Sequence, residues 1–432
     1  MLIIITKGSW RVWPVARPCA TGTRKEEGVA VSEGAGVRFL VINSEEEARQ
    51  EMAAIGVHPD GVDIMAPKAV FRVLKLTGLT APQANIIKQE MLAKGGEAAV
   101  AWGAVDGSAP NTDVLLMGTL RQYEALIKKL ARQPYGLREV AGRIGETLTN
   151  LEARPRYELS CRGCRLPLGR RTLVMGILNV TPDSFSDGGR YLDPEAALAR
   201  AREMEAEGAD IIDVGGESTR PGHAPVGVEE ELRRVMPVLE RLVRAVRIPV
   251  SIDTSKAEVA RRALEAGVHI VNDQWALADP EMAGVVAEAG VPVILMHNQE
   301  GTAYRDLMGD IVAYFRERIR RAVRSGIDRE KIIIDPGFGF GKTPAQNLEV
   351  VRRLGELAGL GRPILIGPSR KSTIGRVLGL PVEQRVEGTA AVVTAAIANG
   401  ADIVRVHDVK EMVRVARMAD AIVRGWEEDG PR

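Results

Sequence analysis

Between Thr172 and Asp408 the chain repeats one pattern eight times: a short apolar run, polar residues at its end, then a stretch with helical spacing. The runs are TLVMGILN (172–179), DIIDVGG (210–216), PVSIDT (249–254), HIVND (269–273), PVILMH (292–297), KIIIDPG (331–337), PILIGP (363–368) and DIVRVHD (402–408). They are β-branched and nearly continuous, without the alternation of a half-exposed strand. That indicates strands buried on both faces, as in a parallel sheet. The segments between them, such as PEAALARAREMEAEG, EEELRRVMPVLERLVRAV, KAEVARRALEAG and AVVTAAIANG, have helical patterns. Eight such units in about 260 residues predict a (β/α)8 TIM barrel. The competing arrangement is an open doubly wound sheet, which eight evenly spaced units would strain.

A smaller α/β domain is expected ahead of the barrel. Residues 1–36 carry Gly, Arg and Glu with no sustained period and read as a disordered tail. The apolar start MLIIIT has no basic region before it and no long apolar region after it, so it does not read as a signal peptide. Order is expected from VRFLVI (37–42), a β-like run, followed by the helix EEEARQEMAAIG capped by Asn43 or Ser44. Residues 37–150 then alternate strand-like and helix-like segments and close on a charged linker helix, LREVAGRIGETLTNLEA. Residues 151–432 form the barrel domain, entered through a short hairpin around RYELSCRGCRLPLG.

Net charge is +1, from 58 basic and 57 acidic residues, which argues against a bulk nucleic-acid or membrane-surface binder. No apolar run is long enough to span a bilayer. Three cysteines, an odd and small number, argue for a reducing cytoplasm over a disulfide framework. Cys161 and Cys164 form a lone CxxC with no second pair or neighbouring His, and read as an incidental pair in the hairpin.

In a barrel the polar residues at the C-terminal ends of the strands converge on one site. Here they are Asn179; Glu217, Thr219 and Arg220; Asp253; Asn272 and Asp273; Met296 and His297; Asp335; Ser369, Arg370 and Lys371; and Arg405 with His407. They sort into two chemistries. Asp253, Asn272 and Asp335 suit the hydrogen-bonding edge of a flat heterocycle, because a carboxylate accepts two parallel N–H bonds from a guanidine-like edge. Lys371, Arg405 and His407, with Asn179, suit a phosphate or diphosphate. His297 reads as a group that orients its neighbours, and His58, His223 and His269 as structural or surface residues.

Taken in order, MGILNVTPDSFSDGG, IDVGGESTRPG, SIDTSK, VND, LMHN, DPGFGFGK, GPSRKSTIG and RVHDV resemble the dihydropteroate synthase family over about residues 157–425. GFGFGK lacks the spacing and downstream Ser/Thr of a P-loop. The resemblance implies a transferase of folate biosynthesis. It would join 6-hydroxymethyl-7,8-dihydropterin diphosphate to 4-aminobenzoate with Mg2+, releasing diphosphate. It implies that Asp253, Asn272 and Asp335 hold the pterin, with Lys371 bonded to or stacked on it. Asn179, Arg405 and His407 would bind the diphosphate, with Asn179 also near the metal. Lys371, Arg405 and His407 would be the catalytic set. Thr219, Arg220 and Pro221 would belong to a loop over the aminobenzoate pocket, lined by Phe340, Lys371 and Ser372. Ser372 and its helix N-terminus would receive the carboxylate, and Ser186–Gly189 would form a flap. A homodimer through the later barrel helices is also implied.

Two alternatives stand beside this reading. A pterin-dependent methyltransferase of the same barrel type would share the pterin carboxylates but need no diphosphate pocket. A non-catalytic pterin-binding protein would tolerate loss of Lys371, Arg405 or His407. The segments SRKS and RVHD favour the synthase.

Overall fold

The computed structural model describes residues 36–109, 111–152, 158–180, 194–217 and 226–426. It divides into Met1–Ile42 and Asn43–Arg432. In the first unit the described residues, 36–42, form neither helix nor strand, contrary to the expected β-run, and Val37 and Phe39 are exposed. An isolated apolar hexapeptide gains little by extending unless an edge strand accepts its backbone.

In the second unit, Glu45–Ala54 is helical and Ser44 caps it by accepting from the Glu47 amide. A three-stranded antiparallel sheet follows, in the order Phe71–Thr80, Asn111–Thr119, Glu97–Val100. Two of its helices, Ala81–Leu92 and Leu120–Leu130, start with reciprocal capping boxes at Thr80/Gln83 and Thr119/Gln122. Leu120, Tyr123, Leu126 and Leu130 give the second of these a buried face spaced three and four apart. The helix Leu137–Glu152 then runs to the barrel, where Asn150 donates to the Gly359 carbonyl at 3.0 Å and Glu146 pairs with Arg329 at 2.5 Å.

The barrel strands are β1 (Leu173–Asn179), β2 (Ile211–Gly215), β3 (Val250–Asp253), β4 (Ile270–Asp273), β5 (Val293–Met296), β6 (Ile332–Asp335), β7 (Leu365–Ile366) and β8 (Ile403–Val406). They are parallel and hydrogen-bonded in the order β6-β5-β4-β3-β2-β1-β8-β7. A parallel bridge between Ile334 and Ile364 joins the two ends and closes the barrel.

Side chains alternate along each strand. One set, including Val174, Ile212, Val250, Val271, Val293, Ile332 and Val404, packs outward with the helices in the main core. The other set, Leu173, Met175, Ile211, Ile270, Ile294, Ile333, Leu365 and Ile403, forms an inner apolar layer. Beneath that layer lies the hairpin Glu158–Cys161/Cys164–Pro167, whose Leu159, Cys161 and Leu166 join it and plug the N-terminal mouth. Both thiols are free, and burial pushes the Cys161 thiol up to about 12. The CxxC is thus packing material for the plug. Among the described residues no helix is long and apolar enough to cross a membrane.

The plug should matter for stability and not for chemistry at the opposite mouth. Leu166→Ala is expected to destabilise the barrel by about 2–5 kcal/mol through the cavity it leaves, with kcat unchanged. Denaturant unfolding together with steady-state kinetics checks both.

Candidate active site

The site follows from the alternation. On four strands the inward position two residues beyond the inner apolar side chain is polar. Ile211 is followed by Asp213, Ile270 by Asn272, Ile333 by Asp335 and Ile403 by Arg405. On β3, where Ser251 takes the apolar residue's place, the next is Asp253. In the parallel register Asp253 lies opposite Asn272, while Asp213 lies opposite Ser251, one inward position before Asp253.

The layer is organised around Arg405. Its guanidinium donates to Asp213 at 2.6 Å and to Asp253 at 2.7 Å. Burial alone would lower its pKa, but the two carboxylates outweigh that and the net shift is upward. Asp253 also accepts two bonds from the Gln274 amide, at 2.7 and 2.8 Å. Asn272 donates to Asp213 at 3.0 Å. Burial, with the Asp213 charge beside it, pushes the Asp253 carboxyl up, against the pull of Arg405 and Gln274. Asp335 is raised by burial too, against the Gly337 amide that it accepts from at 2.8 Å and the charges of Lys371, Arg405 and Lys342.

Lys371 projects into the same layer from the turn after β7. Its ammonium donates to the Phe338 carbonyl and lies 4.0 Å from the centroid of the Phe340 ring. Burial, with Arg405 and Lys342 nearby, brings it down to about 7 despite Asp335. The preceding Arg370 has φ 56°, uncommon for a residue with a side chain, and is held there by Thr389 and Asp408. Ser372, exposed, opens the short helix Ser372–Leu378. At the end of β8, the His407 ring Nδ1 is 3.0 Å from the Ser369 hydroxyl. Asn179 ends β1 half-buried, its amide oxygen 3.8 Å from where a side chain at Gly215 would begin.

Under Phe340 the loop after β6 closes on itself. Lys342 is buried and donates to the carbonyls of Gly337 and Phe340 at 3.2 and 3.0 Å, with the His297 Nδ1 at 3.1 Å. Burial and the Lys342 charge lower His297 to about 3, which keeps the ring neutral as an acceptor. His297 therefore orients neighbours. Asp273 turns away to cap its own loop through the amides of Trp275 and Leu277.

The structure thus gathers Asp253, Asn272, Asp335, Phe340, Lys371 and Arg405 at one mouth, with Asn179, Ser372 and His407 at the ends of their strands or turns. Thr219, Arg220, Pro221 and the Ser186–Gly189 segment lie outside the described residues. The expected separation of a carboxylate half from a cationic half does not hold at Arg405, which bridges them. Asp213, Gln274 and Lys342 were not singled out from sequence. Asp213 carries a legible signal, an acid in the inward register of DIIDVGG, whereas Gln274 and Lys342 sit in loops where no period applies.

Residues 175–407 match the family model described as pterin binding enzyme. A dihydropteroate synthase of Bacillus subtilis is 53% identical over 254 residues, covering 59% of this chain and 89% of that protein. The chain belongs to the dihydropteroate synthase family. Among solved synthases, one from Clostridium difficile determined in the presence of pteroic acid has 53% identity and a TM-score of 0.59, covering 60% of this chain and 99% of that one. One from Xanthomonas albilineans with 4-aminobenzoic acid has 46% identity and a TM-score of 0.60, covering 64% and 100%. A probable bifunctional folylpolyglutamate synthase/dihydropteroate synthase of Halobacterium salinarum is 44% identical over 395 residues. That match covers 90% of this chain, so it necessarily reaches well into the region before the barrel, but only 47% of the archaeal protein.

Asp213→Asn tests the Arg405 cluster. Removing a like charge beside Asp253 lowers the Asp253 pKa, and the guanidinium keeps one carboxylate where it had two. The expected outcome is a downward shift of Asp253 in a carbon-detected NMR titration, with a stability loss of about 1–3 kcal/mol. An unmoved or raised Asp253 would contradict the cluster.

Proposed function

We propose that this synthase chain uses the polar layer above the inner apolar ring to join 6-hydroxymethyl-7,8-dihydropterin diphosphate to 4-aminobenzoate, giving 7,8-dihydropteroate and diphosphate. The observation that carries the residue assignment is the placing of carboxylates and amides on β2, β3, β4 and β6 directly beside Arg405 and Lys371. A methyltransferase would use the first group without needing the second, and family membership likewise favours the synthase.

In this reading Asp253, Asn272 and Asp335 take the donor edge of the pterin, and Lys371 contacts the ring. Arg405 and His407 receive the diphosphate, and Thr219 and Arg220 belong to the loop over the second substrate. Phe340 and Lys371 line the aminobenzoate pocket, and Ser372, exposed at the start of its helix, receives the carboxylate. The bond from the exocyclic carbon to the diphosphate oxygen breaks as cations gather its charge. The electron-rich ring supports the positive charge left on that carbon. The arylamine nitrogen then forms the new C–N bond and loses its proton to solvent. The arylamine is neutral near pH 7, so positioning and electrostatics carry the rate.

Mg2+ fits one position here. Among the described residues no cluster of His, Cys, Asp and Glu is arranged to hold a metal, but Mg2+ commonly takes one or two protein oxygens and completes its shell with water and substrate phosphates. The Asn179 amide oxygen, beside the space left by Gly215, offers one such donor. When bound, the metal supplies charge neutralisation of the departing diphosphate. We also propose a homodimer through the late helices, because Met418, Ile422 and Val423 are exposed on Val409–Arg424 and Trp426 just beyond it. The free thiols suit the cytoplasm.

Diphosphate release from both substrates with Mg2+ tests the reaction, and its absence would refute it. Asp335→Asn places a donor where an acceptor is needed and is expected to weaken pterin binding about 10- to 100-fold by calorimetry. Unchanged affinity would overturn the ring-edge assignment.

The Lys371 ammonium dominates below about pH 7 and is lost above it. The kcat/KM for the dihydropterin diphosphate should therefore fall as pH rises through about 7, and that limb should vanish in Lys371→Met. Steady-state profiles from about pH 5.5 to about pH 9 decide it.

A further inference from the structure

The N-terminal sheet touches the barrel at the edge of its catalytic mouth. Lys75, on Phe71–Thr80, donates to Asp306 at 2.7 Å, with Asp113 of the neighbouring strand 3.6 Å from the same ammonium. Asp306 is the N-cap of the helix Leu307–Arg324, accepting from the Gly309 amide at 3.2 Å. It ends the loop that follows β5, and that loop is fastened to the turn carrying Phe340. The Tyr304 hydroxyl donates to the Gly341 carbonyl at 2.8 Å, and the Gln346 amide donates to the Thr302 carbonyl at 3.0 Å. Gly341, at φ 55°, lies so close that a Cβ there would sit 2.6 Å from the Gln299 carbonyl oxygen. The two loops are packed backbone to backbone. The Tyr304 ring also lies 6.0 Å from that of His297, which receives Lys342 beneath Phe340.

We propose that Lys75 is a positioning residue for the aminobenzoate pocket. From outside the barrel it ties down Asp306, and through Thr302 and Tyr304 it holds the Gly341–Gln346 turn that sets the Phe340 wall. The inference rests on the reading that Phe340 lines that pocket. Lys75 touches no substrate; it acts by narrowing the positions open to the loop. The lysine and aspartate side chains are 48% and 35% exposed, so the effect is small and specific. It belongs to the second substrate, because the pterin residues stand on barrel strands that Lys75 does not reach.

The test uses the full chain and compares Lys75→Met, Lys75→Arg and Phe340→Leu with wild type. Lys75→Met should raise the KM for 4-aminobenzoate about two- to five-fold, with the KM for the dihydropterin diphosphate and kcat unchanged. Lys75→Arg should restore it. Amide hydrogen exchange should be faster in residues 298–306 and 340–346 of Lys75→Met and normal elsewhere in the barrel. Unchanged exchange in those segments overturns the proposal, as does an equal change in both KM values. If Phe340→Leu raises the aminobenzoate KM and Lys75→Met does not, the coupling is wrong and the pocket assignment stands. If Phe340→Leu leaves that KM unmoved, the pocket assignment fails, and the exchange result alone decides whether Lys75 holds the loops.

Discussion

A guanidinium in the middle of a barrel has to be matched by carboxylates on other strands, because desolvating a lone charge there costs far more than the fold's net stability. Arg405 is that guanidinium, and Asp213 and Asp253 are its partners. Much of the site's geometry is the consequence. The strands must hold a register in which Asp213 on β2 and Asp253 on β3, two residues apart along the ladder, both come within reach of one side chain on β8. Gln274 covers the Asp253 oxygen that Arg405 does not reach, whereas Asn272 donates to the same Asp213 oxygen as Arg405 and leaves Asp213 Oδ1 without a partner among the described residues. The apolar layer underneath, closed by the hairpin, keeps water out from below, so the polar layer is reached from one mouth only.

The loop after β6 solves a second problem, that of bringing backbone close to two neighbours at once. At Gly337, φ is 69° and a Cβ would lie 2.1 Å from the His297 carbonyl oxygen, so only glycine can occupy the position. At Gly339, φ is 87° and a Cβ would meet the Lys371 side chain at 2.7 Å. The carbonyls turned inward by this path need donors. Lys342 supplies them for Gly337 and Phe340, and Lys371 for Phe338. Two lysines thus hold one loop, and the upper of them also faces the mouth.

The barrel was legible because its evidence is periodic. Continuous β-branched runs at even spacing admit few closed arrangements, and Ile333 followed by Asp335 in the inward register needs no tertiary information to be noticed. Residue types at the strand ends were legible for the same reason. The pairing of Arg405 was not. Its residue type suits an anion equally well, and only the folded barrel shows that two aspartates reach it. Gln274 and Lys342 were hidden because loop geometry decides which carbonyl or carboxylate they meet. VRFLVI misled because a strand-like composition promises extension only where an edge is available to pair with.

Electrostatically, the layer supplies its own counter-charges. The carboxylates of Asp213, Asp253 and Asp335 face the cations of Arg405, Lys371 and Lys342. Yet the balance is uneven. Burial raises Asp253 and Asp335 and lowers Lys371 and Lys342, so each of these groups is held near its neutral form more closely than it would be in water. A substrate carrying a donor edge at one end and a polyanion at the other offers the carboxylates N–H donors and the lysine and arginine a full negative charge. On the proposed assignment such a substrate would exchange the internal pairings for new ones at both ends, with groups already held in place. Such preorganisation lowers the reorganisation cost of charge separation between ring and leaving group. It also explains why oppositely charged side chains share one layer: a site with either set alone would have to bury unmatched charge whenever it stood empty.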